Sequence, residues 1–172
     1  SSNGAGAFGA TINIATNEIT DTAYAELNNS YGSYKTLKNT LRFGSGIIGK
    51  HFTIDGRLSK ISSDGYIDRA ASDLKSFYFS TAWLNKNNSL RLNIFSGKEK
   101  TYQAWNGVPE SLLKTDRTYN SAGQQQPGKP YDNETDNYTH THYQLFYNHQ
   151  FNSYWKANMA VFLTKGASYY EQ

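Results

Sequence analysis

The stretch Thr36-Leu-Lys-Asn-Thr-Leu-Arg-Phe-Gly-Ser45, followed by Gly46-Ile-Ile-Gly49 and then His51-Phe-Thr-Ile-Asp-Gly-Arg-Leu-Ser-Lys-Ile61, decides the fold. Side chains alternate across a strand, so residues two apart share a face. In the first run Leu37, Leu41 and Phe43, with Asn39, oppose Lys38, Thr40, Arg42 and Gly44. In the second, Phe52, Ile54, Gly56 and Leu58 oppose Thr53, Asp55, Arg57 and Ser59. The link between them is short and carries two glycines, which a tight turn accepts at no steric cost. The expectation is a hairpin with one apolar and one charged face.

The same period of two runs outward in both directions. Residues 22–31 set Ala23, Ala25 and Leu27 against Tyr24, Glu26, Asn28 and Ser30. Residues 74–84 set Phe77, Phe79 and Trp83 against Ser76, Tyr78, Ser80 and Ala82, and residues 89–97 set Leu90, Leu92 and Ile94 against Arg91 and Asn93. Residues 141–151 place Tyr143, Leu145, Tyr147 and Phe151 opposite His142, Gln144, Phe146 and Asn148, and residues 156–165 place Ala157, Met159, Val161 and Leu163 opposite Asn158, Ala160 and Thr164. No helical stripe of useful length interrupts them. Seven antiparallel strands are expected, an all-β chain.

Composition agrees with strands that have two different faces. Only 37% of the 172 residues are hydrophobic, yet there are 14 Tyr and nine Phe against one Met, a choice that suits half-buried positions with one wet end. No run approaches the ~18 apolar residues of a membrane helix, which leaves a β-barrel open because its strands alternate. Zero Cys excludes a disulfide framework and thiol chemistry. The net charge of +3 is spread along the chain without a Lys/Arg block, so no nucleic-acid partner is indicated.

Two patterns narrow the all-β reading. The links at 46–50, 85–88 and 152–155 are tight, whereas those at 62–73 and 98–140 are long, with 32–35 a short exception. An up-and-down membrane barrel has short turns on one side and longer loops on the other. Strands of about ten residues match the ~9–11 needed to cross a bilayer at a tilt, against ~5–6 in soluble sheets. Aromatic residues at strand ends, among them Tyr31, Phe43, Trp83, Tyr154 and Trp155, suit interfacial girdles.

Upstream of the first strand lies Gly4-Ala-Gly-Ala-Phe-Gly-Ala-Thr-Ile-Asn-Ile-Ala-Thr-Asn17. Its glycines satisfy G-x-G-x-x-G by letters, but no strand precedes them and no helix follows, so a dinucleotide site is rejected. Gly9-Ala-Thr-Ile-Asn-Ile14 ahead of a series of hairpins resembles the end of the plug in the TonB-dependent outer-membrane receptor family. The segments Tyr24-Ala-Glu-Leu-Asn-Asn-Ser-Tyr-Gly32, Ser63-Asp-Gly-Tyr-Ile-Asp-Arg69 and Gly97-Lys-Glu-Lys-Thr-Tyr-Gln-Ala-Trp-Asn-Gly-Val-Pro109 are similar to the Bacteroidetes branch of that family.

The resemblance implies a transmembrane barrel of about 22 strands closed by a plug. Residues 1–17 would be the end of the plug and residues 18–172 the first part of the barrel, about seven strands of it with their extracellular loops. It implies a bacterial outer-membrane location, contact with membrane lipid, and import of a scarce nutrient driven by the TonB-ExbB-ExbD complex. The cargo expected by analogy is an iron chelate, siderophore or haem-like ligand, with an oligosaccharide the other class such receptors take. The chain starts at Ser1 and stops at Gln172 inside what reads as a strand, and is therefore expected to be a piece of a longer protein.

Candidate residues follow from position and chemistry. Tyr102, Gln103, Trp105 and Asn106 in the longest loop offer rings and amides for stacking on and hydrogen-bonding a cargo. Trp105 could equally fold back as part of a loop core. Glu26, Lys38, Arg42, Asp55, Arg57 and Arg91 would form a charged wall facing the plug. His140 and His142 share a face and are weak candidates for a transition metal, and Asp132-Asn-Glu-Thr-Asp136 departs from a calcium loop at the glycine and final glutamate positions. No resident metal or cofactor is expected. Neither a G-x-S-x-G elbow nor an H-E-x-x-H helix occurs, so no enzyme is indicated. The alternative is a soluble or surface β-sandwich or adhesin that binds glycans through Trp105 and neighbouring tyrosines.

Overall fold

The computed structural model describes residues 19–123, 129–131 and 133–171. The glycine-rich run Gly4 to Asn17, with the proposed plug boundary after residue 17, lies outside the described residues. Seven strands, β1 (Ala23–Gly32), β2 (Thr36–Ser45), β3 (Phe52–Ser63), β4 (Ser72–Leu84), β5 (Asn88–Tyr102), β6 (Thr135–Gln150) and β7 (Lys156–Glu171), form one open sheet. They lie in chain order, and each neighbour pair is antiparallel. A single 3-10 turn, Glu110–Leu112, is the only helical element among the described residues.

The register aligns the apolar positions across the whole sheet. Phe43, Gly56, Phe79, Ile94, Tyr143 and Leu163 form one cross-strand row, and Ile54, Thr81, Leu92, Leu145 and Val161 the next. Phe52, Trp83, Leu90, Tyr147 and Met159 form a third, and on β7 Ala157 lies one row beyond it. The opposite face carries Glu26, Arg42 and Arg57 in one row and Asp55, Ser80, Asn93 and Gln144 in another. Both faces expected from the sequence are therefore continuous surfaces.

Burial differs between them. The polar face hides Thr53, Ser80 and Asn93 at 2%, 1% and 1% exposure, while on the apolar face Leu27 is 66% and Leu58 52% exposed. Side chains crowded on one face and splayed on the other are what curvature toward the polar face produces. Ala82 and Tyr102 are the only buried hydrophobic residues among those described. No second layer covers the apolar face within the described residues, so a conventional core is missing.

Two glycines let aromatic rings lie flat across neighbouring strands. The Phe43 ring covers Gly56, directly opposite it, so that a Cβ there would fall inside the ring. On the other face Tyr24 crosses Gly44 and its hydroxyl donates to Asp55 Oδ1 at 3.2 Å. The tight turns also have identifiable causes. Gly46 (φ +65°) and Gly49 (φ +57°) supply left-handed backbone at 46–51. Asn85 Oδ1 accepts the N–H groups of Asn87 and Asn88 at 2.9 and 2.7 Å, and Asn152 Oδ1 accepts those of Tyr154 and Trp155 at 2.8 and 2.9 Å.

The later strands are longer than hydrophobic alternation indicates. β5 continues from Gly97 to Tyr102, β6 begins at Thr135 rather than 141, and β7 runs to Glu171 rather than 165. In β5 and β6 these extensions (Lys98 to Thr101 against Asp136 to Thr139) are polar apart from Tyr138, and in β7 residues 166–171 show no apolar alternation, so period-two hydrophobicity is silent there. Backbone pairing with a neighbour holds them, and the loop after β5 shrinks to 103–134.

Gly56→Val should force the Phe43 ring off its strand at a cost of about 1–3 kcal/mol, read from the denaturant midpoint of the full protein. Gly97→Val, where a new Cβ meets nothing within 4 Å, should be neutral or stabilising. Equal shifts for the two variants would rule out the ring-over-glycine account.

Candidate functional site

Three connections, 33–35, 64–71 and 103–134, meet at the end of the sheet opposite the tight turns. They form a hydrogen-bonded layer rather than three separate loops. The Asp64 N–H donates to the Tyr34 carbonyl at 2.9 Å, and the Tyr34 and Tyr66 rings meet edge-on at 5.5 Å. Lys35 Nζ lies 2.8 Å from Asp64 Oδ2, and that hydrogen bond holds its ammonium above the usual lysine range. Both groups are largely exposed, so the pair adds little stability.

The longest connection is tied to the middle one by Asn120 and Arg69. Asn120, 1% exposed, donates from Nδ2 to the carbonyls of Asp68 (3.0 Å) and Gln103 (2.8 Å), and its Oδ1 accepts the Ala122 N–H at 3.0 Å. Arg69 Nη2 donates to the carbonyls of Asn120 (2.7 Å) and Ala122 (2.9 Å) while its guanidinium sits 6.0 Å over the Tyr102 ring. Arg69 itself takes left-handed backbone (φ +56°), uncommon for a residue with a Cβ. The Asp68 N–H donates to the Thr118 carbonyl at 2.8 Å and completes the clamp.

The four loop residues expected to touch cargo separate into two groups. Tyr102 is buried and its hydroxyl donates to the Tyr131 carbonyl, with Gly123 directly beneath it. Gln103 is half-buried, and its backbone pairs with Glu134 and Asn120. These two hold the loop in place. Trp105 is 77% exposed and Asn106 is exposed, its Nδ2 donating to Ser121 Oγ at 3.0 Å. Trp105 therefore presents its indole to solvent and is not part of a loop core.

All six charged residues expected on one wall share the polar face. Arg42 Nη1 pairs with Glu26 Oε2 at 3.2 Å and lies directly opposite Arg57, which has no carboxylate within ion-pair distance among the described residues. Asp55 accepts from Tyr24. Lys38 sits between Ser30 and Ile61. Arg91 Nη1 donates to Ser80 Oγ (3.2 Å), Ser80 Oγ to Asn93 Oδ1 (2.8 Å), and Asn93 Nδ2 to Gln144 Oε1 (3.4 Å). Buried Asn93 is thus satisfied by a chain of neighbours across three strands.

His140 and His142 also lie on this face. His142 Nε2 is 3.1 Å from His140 Nδ1, His142 Nδ1 is 3.0 Å from Thr164 Oγ1, and the Phe95 ring stacks on His142 at 4.6 Å. Each of these nitrogens already has a hydrogen-bond partner, and no cluster of three metal-ligating side chains occurs among the described residues. Beside them is an open cavity of about 290 Å³, floored by Ser76 and Gly97 and walled by Leu74, Glu99, Tyr138 and His140. In the acidic run at the end of the loop, Glu134 is buried and Asp136 pairs with Thr101 inside the sheet, while Asp132 lies outside the described residues.

Asn120→Ala should free the carbonyls of Asp68 and Gln103 and cost about 1–3 kcal/mol locally. Limited proteolysis with mass spectrometry should then show new cleavage within 103–134 while the strands stay protected. An unchanged digest would mean the loop is held by other contacts. Comparison of the chain with protein-family models, with characterised proteins and with solved structures finds no match.

Proposed function

We propose that this chain is part of the wall of an outer-membrane β-barrel receptor of the TonB-dependent type. The observation that supports it is the apolar band on seven consecutive strands, on which nothing packs among the described residues. On β3, β4 and β7 the band spans Phe52 to Leu58, Phe77 to Trp83 and Ala157 to Leu163, six residue steps or about 20 Å. That approaches the ~25 Å lipid-facing band of such barrels. Its upper limit moves one row down between Phe77 on β4 and Ile94 on β5, the drift that tilted strands require to keep a band level.

The alternative sandwich needs a second sheet to cover the same side chains. All seven strands belong to one sheet, which favours lipid as the covering medium. The opposite face, with Glu26, Arg42, Asp55, Arg57 and Arg91, suits a polar interior that meets a plug. The clamped loop layer with Trp105 at its surface suits capture of a nutrient outside the cell, which energy from the TonB-ExbB-ExbD complex would then move inward. The preference for an iron chelate, siderophore or haem-like cargo rests on the sequence resemblance.

Val161→Arg, at mid-band on β7, should cost about 2–4 kcal/mol in bilayer folding, whereas Asn158→Arg on the polar face of the same strand should be tolerated. Folding of the full-length protein into lipid vesicles measures both, and equal tolerance would exclude a lipid-facing band. Cells with and without the full-length gene, offered labelled iron chelates, cobalamin and oligosaccharides, should differ in uptake of one. Trp105→Ala should lower that uptake roughly tenfold, the loss typical of a central aromatic anchor. If no compound shows a difference, the import reading fails.

A further inference from the structure

The register brings lysines together at one edge of the apolar band. Lys60, Lys75 and Lys98 are direct cross-strand partners on β3, β4 and β5, all on the apolar face and all exposed. Directly opposite residues have Cβ atoms roughly 5 Å apart, and like charges in that position destabilise a sheet. Lys75 has one carboxylate, Asp73 Oδ2 at 3.5 Å. Lys60 and Lys98 have none within ion-pair distance among the described residues. The row itself runs on through Thr139 to Ala167, and on β7 Lys165 stands one row lower, opposite Thr141 and just past Leu163, where the band ends on that strand.

The placement is one-sided. The row lies just beyond Leu58 and Phe77, toward the end that carries the long connections, and at the other end of the band the same face ends in Asn88, His149 and Ala157. Above the row the face carries Lys100, paired with Glu171 at 3.5 Å. Three ammonium groups held in register with a single carboxylate leave a site short of negative charge. Its position fixes what can supply that charge, because lysine stems lie along the apolar surface while their heads reach the polar boundary.

We propose that the Lys60–Lys75–Lys98 row binds the phosphate of a phosphorylated glycolipid in the outer leaflet, fixing lipid against this part of the wall. The inference rests on the barrel reading, which sets the apolar face in lipid and the long connections outside. A phosphate carries more than one negative charge and accepts from several ammonium groups at once. Basic residues bordering a membrane-embedded surface attract anionic head groups by an amount that corresponds to about fivefold in affinity per lysine.

The test uses the full-length protein folded in neutral detergent, with lipid retention read by native mass spectrometry. Four probes are compared: a diphosphorylated lipid A-type glycolipid, its dephosphorylated form, a zwitterionic phospholipid and inorganic phosphate. The diphosphorylated lipid should be retained preferentially. Lys60→Gln, Lys75→Gln and Lys98→Gln should each lower retention about fivefold, and Lys86→Gln, in the turn at the opposite end, should not. Equal retention of the dephosphorylated lipid, a triple variant that binds like the parent, or full displacement by inorganic phosphate would each overturn the proposal while leaving the barrel intact. A full-length protein that is folded and monomeric without detergent would overturn the barrel reading and this inference with it.

Discussion

Every strand of this sheet has to hold its register, because a slip of one residue would move Leu41, Ile54 and Leu92 onto the side that carries Arg42, Asp55 and Asn93. In a protein with a packed interior, volume and shape help to resist such a slip. Here the described residues contain almost no buried apolar side chain, so backbone pairing and the division between the two faces carry that task alone. The tight turns set the pairing locally through Gly46, Gly49, Asn85 and Asn152. The polar chain from Arg91 through Ser80 and Asn93 to Gln144 and the rings lying over Gly44 and Gly56 reinforce it across the strands.

The same constraint explains why the two ends of the sheet differ. Where connections are tight, the strands leave the ladder through turns headed by a single asparagine or by paired glycines. Where they are long, the strands of the second half continue as polar ribbons past the apolar band, and the loops pack on one another. Arg69 and Asn120 convert a connection of more than thirty residues into a held surface from which Trp105 projects. A rigid sheet end with a clamped loop layer is a sound support for recognition, since the exposed ring does not have to be ordered at the moment of binding.

Alternation of apolar and polar residues was sufficient to find the seven strands, their order and their two faces. β2 is recovered to the residue and β1, β3 and β4 within a few positions. The polar ends of β5 and β6 were not legible, because nothing in Lys98 to Thr101 or Asp136 to Thr139 distinguishes a strand without apolar alternation from a loop. Of the candidate site, the charged wall was legible since period two alone assigns a face. The loop clamp was not: Asn120 is one asparagine in a polar stretch, and its value comes from carbonyls some fifteen and fifty residues away in the chain.

The sequence by itself therefore determined the local period, the identity of each face and the positions of the tight turns, all of which depend on neighbours within a few residues. Tertiary structure decided everything that depends on register between strands. It set Arg42 opposite Arg57, hid Tyr102 while exposing Trp105, brought His140 and His142 to a shared hydrogen bond, and lined up Lys60, Lys75 and Lys98. Those outcomes follow from which residue pairs with which across a ladder, and a one-dimensional pattern of alternation leaves that pairing undetermined.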